Sequence, residues 1–366
     1  MERIVLAYSG GLDTSMAIPW LKEHHQAEIV AVTMDLGQGR ELEAIRDRAL
    51  AVGAARAHVL DLREEFARHF ILRALKADAL YDDRSPMSAA LARPLIAQKL
   101  VDIAGIEHAQ AVAHGGGGRR VALDVLIRAL APKLKVITPT RDRGMTRTEA
   151  IEYARQHHVP TFTADSPYKA ESNLWGRSIE RGAPEDEWKE PPEDIYTLTR
   201  PARECPDEPA YVEIAFERGV PASINGVSMP LIELIGSLGT IASAHGVGRI
   251  DVVERRSGNS KRREVSEAPA AVLLYAAHKE LRKVSGSREL ERFSRTVSVE
   301  YADIIEHGLW FSPLRNALDG FVDAVQERVT GVVRLKLFKG AYSIVGRTAT
   351  PAPAAPAPSI IPILKS

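Results

Sequence analysis

Two rhythms of apolar and polar positions run through the first half of the chain. Ile4-Val5-Leu6 and Ala27 to Thr33 are short continuous apolar runs of the kind that form strands buried on both faces. Ala57 to Leu60, Ala109 to Ala113 and Leu134 to Ile137 repeat the pattern. Segments with helical spacing lie between them. One follows Ser15, and Glu41 to Val52 stops at Gly53. Arg63 to Lys76 puts Phe66, Phe70, Ile71 and Leu75 on one side. Ala89 to Ala104 follows the polar break Tyr81 to Ser88, another helix follows Gly118, and Thr146-Arg147-Thr148-Glu149 has capping-box form and opens a helix ending near His157. Strands alternating with helices at these lengths predict an α/β fold, a parallel sheet covered on both faces. Pro19 conflicts with this pattern, because inside a helix it removes a hydrogen bond and costs about 3 kcal/mol or bends the axis.

From about Ala164 the texture changes. Pro184, Pro191, Pro192, Pro201, Pro206 and Pro209, with Trp175 and Trp188, make an irregular stretch that ends in the strand Tyr211 to Phe216. Asn225-Gly226 is a hairpin turn signal, Pro230 to His245 an amphipathic helix, Arg249 to Glu254 a strand and Pro269 to Ser285 a long helix. Val332 to Phe338, Lys339-Gly340 and Ala341 to Val345 read as a hairpin. These elements predict a second, α+β domain. The tail Thr350 to Pro358 alternates proline with alanine and is expected to be extended. The predicted division is 1–165, 166–349 and 350–366, without internal repeats.

Composition narrows the class. A chain of 366 residues is too long for one small core. A formal net charge of zero gives no electrostatic case for nucleic acid or an acidic membrane as partner. No apolar run is long enough to span a bilayer, and the first apolar residues lead directly into a glycine loop rather than a signal-peptide layout, so a cytoplasmic protein is expected. The one cysteine, Cys205, can form neither an internal disulfide nor a thiolate metal site, and reads as a surface thiol.

The chemistry centres on Ala7-Tyr8-Ser9-Gly10-Gly11-Leu12-Asp13-Thr14-Ser15, a strand, a glycine pair and hydroxyls opening a helix. Glycines let backbone N–H groups approach an anion, Ser9, Thr14 and Ser15 add hydroxyl donors, and the helix directs its positive end to the same place. The Gly-Lys-Ser/Thr ending of a phosphoryl-transferring P-loop is missing. Ser-Gly-Gly-x-Asp-Ser/Thr-Ser resembles instead the loop of the ATP pyrophosphatases, which grip pyrophosphate and pass AMP to an oxygen. Asp35 to Gly39 and His114 to Gly118 also follow predicted strands, so three loops are expected to converge at the carboxyl edge of the sheet.

Several blocks resemble the argininosuccinate synthase family, in its order. They are the first loop, Asp35-Leu36-Gly37-Gln38-Gly39, Leu91 to Ala97, Ala113-His114-Gly115, Asn173-Leu174-Trp175-Gly176-Arg177-Ser178, His245 to Asp251 and Val329 to Leu337. The resemblance implies a parallel-sheet ATP-pyrophosphatase (adenine nucleotide alpha hydrolase-like) nucleotide domain, an α+β synthetase domain and a homotetramer. It also implies ATP with Mg²⁺ bridging its phosphates, and no protein-only metal site. The family's chemistry is attack of the citrulline ureido oxygen on the α-phosphorus, then displacement of AMP by the amine of aspartate. By this analogy Ala7 to Ser15, Met34 and Gly115 hold the nucleotide, and Ser9, Asp13, Ser15 and Arg93 serve catalysis. Glu254 would hold a substrate nitrogen, and His114 reads as a loop residue rather than a base.

The substrate positions depart from the family pattern. Where the family has a tyrosine and a Thr/Ser pair for citrulline, this chain has Ser85, Ala89 and Ala90. The glycine-rich loop is shorter, with Gly117 at a threonine and Ala122 at an arginine. Lys169 replaces a serine and Ser266 a tyrosine, while Ser178 and Glu254 remain. Losing an arginine–carboxylate contact removes about 1.5–3 kcal/mol. The substitutions therefore predict an ATP-dependent ligase for small-molecule amide, ureido or acid acceptors and amines other than citrulline and aspartate, with Arg119, Arg120 and Lys169 offering new positive charge. A genuine argininosuccinate synthase and a catalytically silent ATP-binding homologue are the alternatives.

Overall fold

The computed structural model describes residues 2–39, 42–115, 121–144, 147–159, 168–182, 186–255 and 261–350. Strand β1 (Arg3–Ala7) is central in a parallel sheet with β2 (Glu28–Asp35), β3 (Arg56–Asp61), β4 (Ala111–His114) and β5 (Lys135–Ile137), in the order β3-β2-β1-β4-β5. Helices α1 (Leu12–His25), α2 (Leu42–Ala51) and α5 (Ser88–Ile106) connect these strands, α5 preceded by α3 (Arg63–Phe66) and α4 (Leu72–Ala77) with a π-helical turn, Ala67–Ile71, between them. Helices α6 (Val121–Leu130), α7 (Pro139–Arg143) and α8 (Arg147–Gln156) complete the first half.

Alternation along β1 decides which core each residue joins. Ile4 and Leu6 pack with Ile18, Leu21, Ile29 and Ile45 on the α1 side. Val5, on the other face, joins Val30, Phe66, Phe70, Leu91 and Leu95. Helix α1 runs unbroken through Pro19, with every residue from Thr14 to Leu21 buried, so packing of its apolar face outweighs the missing bond.

The second half contains two antiparallel sheets. One is ordered β10-β9-β8-β13-β14, from β8 (Ala210–Glu217), β9 (Val220–Ile224), β10 (Val227–Ser228), β13 (Gly331–Phe338) and β14 (Ala341–Ala349). The other is ordered β11-β12-β7-β6, from β6 (Lys169–Asn173), β7 (Gly176–Arg181), β11 (Arg249–Arg255) and β12 (Lys261–Glu267). Helices α9 (Leu231–Ala244), α10 (Pro269–Ser285), α11 (Arg288–Glu306) and α12 (Pro313–Gln326) pack around them. Val212, Ile214, Leu273, Leu274, Val333 and Leu335 belong to the same apolar cluster as Val5 and Leu91, so one core joins the two halves.

Three readings of the sequence need correction. The irregular stretch after Ala164 contains the β6–β7 hairpin, whose polar strands carry no apolar alternation. Strand β12 was likewise not expected. Cys205 is not a surface thiol: it is 6% exposed, with Sγ 3.4 Å from the Pro201 carbonyl, and burial raises its pKa. The Thr146 cap, Gly117, Arg119, Arg120 and all but the first residue of the Pro/Ala tail lie outside the described residues, as do the side chains of Ala122 and Glu254. No described helix is long and apolar enough to cross a membrane.

Candidate active site

The strand order reverses direction beside β1, and there the loops after β1 and β4 face one another. A Cβ added to Gly115 would stand 3.1 Å from Thr14 Cγ2, so the glycine permits close approach of the two loops. Gly10 takes the left-handed conformation, φ +74°, and its carbonyl accepts a 2.7 Å bond from Arg48 Nη1 in α2. Gly11 is the N-cap of α1 and offers no side chain, so no side chain caps the helix's first turn. An uncapped first turn at the carboxyl end of a parallel strand fits a phosphate group.

Hydroxyls brace this cradle. Tyr8 and Ser15 share a buried 2.8 Å bond, and burial raises the Tyr8 phenol's pKa despite the opposing effects of Ser15 and Arg48. Ser9 Oγ lies 3.2 Å from Thr14 Oγ1, which donates to the Gly11 carbonyl at 3.1 Å. Arg143, at the end of α7, donates to the Asp13 and Pro139 carbonyls. Its Nη1 is buried without a hydrogen-bond partner among the described residues, and burial lowers the guanidinium's pKa.

The β6–β7 turn fastens onto the second loop. Leu174 N donates to the Leu36 carbonyl at 2.7 Å, and Asn173 Nδ2 to the Ser88 carbonyl at the start of α5, also at 2.7 Å. Register places Ser178 opposite both Glu171 and Ser266, and Ser178 Oγ donates to Glu264 at 3.2 Å. The expected positions Ser178 and Ser266 are thus cross-strand neighbours, and Ser266 Oγ is buried without a partner among the described residues. Glu254 pairs with Arg262 in the β11–β12 ladder. A register shift beside Lys169 accompanies a different direction for that side chain: Lys169 Nζ lies 3.3 Å from Asp13 Oδ2, in the first turn of α1.

Among the other expected residues, Met34 is buried at the end of β2, and its carbonyl accepts a bond from Gln38 Nε2. Ser85 Oγ accepts from Met87 N within its own turn, and Ala90 is buried in α5. Arg93 lies in the second turn of α5, with Nε buried and unpartnered among the described residues. His114 is buried and bonds Asp124 at 2.7 Å. Burial pushes the Asp124 carboxyl upward, but His114 and Arg141 overcome it and hold the group below its ordinary range. Arg48 and Arg143 were not singled out by sequence reasoning, since each reaches the loop from a helix remote in the chain. The Asn-Leu-Trp-Gly segment, noted in the sequence only for its family resemblance, forms the turn of that hairpin.

Asp13 supplies one carboxylate at the cradle. Among the described residues there is no group of three or more His, Cys, Asp or Glu side chains placed to hold a metal. Asp13 is the residue that would hold a magnesium ion, which would offset phosphate charge there.

A nucleotide-type α/β sheet with an uncapped glycine loop, joined through one core to two antiparallel sheets, defines an ATP-dependent, AMP-forming carbon–nitrogen ligase when set beside known sequences. A family model described as "Arginosuccinate synthase N-terminal HUP domain" matches residues 3–160, and "Arginosuccinate synthase C-terminal domain" matches 168–352. The chain belongs to the argininosuccinate synthase family. It is 49% identical over 350 residues to an argininosuccinate synthase of Dehalococcoides mccartyi, covering 94% of this chain and 86% of that one. Argininosuccinate synthases of Rubrobacter xylanophilus and Bacillus licheniformis are also 49% identical, covering 95% and 94% of this chain and 86% and 87% of theirs.

Proposed function

We propose that this protein is an argininosuccinate synthase, joining citrulline and aspartate at the expense of ATP. The observation that carries the reading is the uncapped turn at Gly11, braced by Ser9, Thr14 and Arg48 at the carboxyl edge of β1. The relatives, all named for argininosuccinate synthesis, favour these substrates over the changed acceptor that the pocket substitutions suggest.

In this reading the backbone of residues 8–15 cradles the β- and γ-phosphates, and Asp13 is the residue that would hold Mg²⁺, whose charge would offset that of the polyphosphate. The ureido oxygen of citrulline attacks the α-phosphorus as the bond to pyrophosphate breaks. The amine of aspartate then attacks the activated carbon, AMP leaves and a proton is lost. The chain's own contribution is positioning and charge neutralisation: Arg93 and Arg143, each with a buried N–H that has no partner among the described residues, are assigned to the nucleotide, and Ser178, Ser266 and Glu254 to the acceptor. Cytoplasmic location and a homotetramer accompany the reading by family analogy.

A changed acceptor is the second reading, favoured by one observation: the Ser266 hydroxyl is buried and has no partner among the described residues, at the place where the family has a tyrosine. Steady pyrophosphate release separates the two. Citrulline and aspartate together should drive it faster than either alone and faster than other amide or ureido acceptors. Background release with that pair, alongside turnover on another, overturns the first reading in favour of the second.

A further inference from the structure

We infer that Lys169 serves the phosphate loop rather than the acceptor pocket, its ammonium acting as counter-ion to Asp13 and as a ligand of the departing pyrophosphate. The inference rests on the reading above, that the loop receives ATP. Position in sequence groups Lys169 with Ser178 and Ser266, but the geometry separates them. Those two serines face each other across β7 and β12, whereas Lys169, at the start of β6 beside the register shift, reaches across to the first turn of α1.

The Nζ–Oδ2 distance is 3.3 Å, and the two side chains are 45% and 37% exposed, so the pair faces open solvent in the crevice. Asp13 puts a negative charge in the turn that is otherwise shaped for an anion. Unneutralised, that carboxylate would repel a polyphosphate. A solvent-exposed ion pair is weak, so the contact with Asp13 does not by itself hold the ammonium away from a phosphate oxygen. The lysine's flexible stem and three donors suit such an exchange of partners. Among the described residues, two further cations at the loop are placed differently. Arg48 holds the Gly10 carbonyl, and Arg143 is fixed by its bonds to the Pro139 and Asp13 carbonyls. Lys169 is thus the cation at the cradle that comes from the antiparallel sheet, and it couples that sheet to release of the leaving group.

Calorimetric binding of inorganic pyrophosphate, ATP and AMP to the full chain tests this, using wild type, Lys169→Met and Lys169→Arg, with the KM of the acceptor measured in parallel. Lys169→Met should weaken pyrophosphate and ATP about tenfold while leaving AMP and the acceptor KM unchanged, and Lys169→Arg should restore most of the loss. Unchanged pyrophosphate affinity in Lys169→Met, or a raised acceptor KM with phosphate binding intact, overturns the inference and leaves the nucleotide site standing. Failure of the wild type to bind either ATP or pyrophosphate overturns both together. The unfolding midpoint of Lys169→Met is compared with wild type; should it fall, Lys169→Gln replaces Lys169→Met, and the same outcomes decide.

Discussion

Tyr8 and Ser15 meet hydroxyl to hydroxyl at 2.8 Å in buried space, tying the end of β1 to the first turn of α1 across the glycine pair. Tyr8→Phe leaves Ser15 without that partner, and a buried hydroxyl stripped of its bond costs about 1–3 kcal/mol. The expected result is a loss of stability in that range by denaturant unfolding, with weaker ATP binding because the loop is less firmly held. An unchanged midpoint and unchanged ATP affinity would contradict the bracing role.

Gly10→Ala should be harmful for a backbone reason. The left-handed φ of +74° disfavours any Cβ, and the added atom would stand 3.0 Å from Ile45 Cγ2. A cost of about 1–2 kcal/mol is expected, together with displacement of the carbonyl that Arg48 holds. Thermal unfolding and ATP affinity measured on the same variant check it.

Asn173 makes two bonds with one amide. Nδ2 reaches the Ser88 carbonyl and Oδ1 accepts from Trp175 N. Asn173→Ala removes both, for an expected loss of about 1–3 kcal/mol. The acceptor KM should rise with it, because the hairpin bearing Ser178 is then less firmly seated on α5. Denaturant titration and steady-state kinetics read the two effects.

Two buried groups give opposing pH dependences. Burial raises Asp78 to about 6 despite Arg282 and Lys279, with Glu291 and Asp83 adding to the rise. Its folded pKa exceeds the unfolded value of 3.8, so its contribution to stability is present in acid and lost as pH climbs from about 4 to 6. Burial lowers His278 from 6.5 to about 4, helped by Arg282 and Lys76 and opposed by its bond to Gln326. Its contribution is present above pH 6.5 and lost as pH falls toward 4. Each window is worth at most about 3 kcal/mol, so the two largely cancel in the wild type. Asp78→Asn should therefore make stability fall more steeply with acid between pH 6.5 and 4, and His278→Gln should make it fall with rising pH over 4 to 6. Chemical denaturation at a series of pH values measures both slopes.

The parallel sheet was readable because strands buried on two faces are unbroken apolar runs: Ile4-Val5-Leu6 and Ile29 to Val32 admit no other placement. The tight turn between β1 and α1 was readable because its glycines and hydroxyls are contiguous. Strand β6, Lys-Ala-Glu-Ser-Asn, was not, since a half-exposed strand facing a crevice has neither alternation nor β-branched residues to announce it. Arg48 and Arg143 were hidden for a different reason. A long side chain arriving from another helix leaves no local trace, and only the folded chain shows that Arg48 closes on Gly10 and Arg143 on Asp13. Cys205 was misplaced because its proline-rich neighbourhood looks exposed, whereas the Pro201 and Arg200 carbonyls enclose its sulfur.

The shared core has a consequence for how this chain comes apart. Val5 and Leu91 lie in one apolar cluster with Val333 and Leu335, residues from opposite ends of the sequence. Cutting the polypeptide near residue 165 would lay bare the face that α5 presents to its later neighbours, and the amino-terminal fragment would aggregate rather than persist as an autonomous nucleotide-binding module.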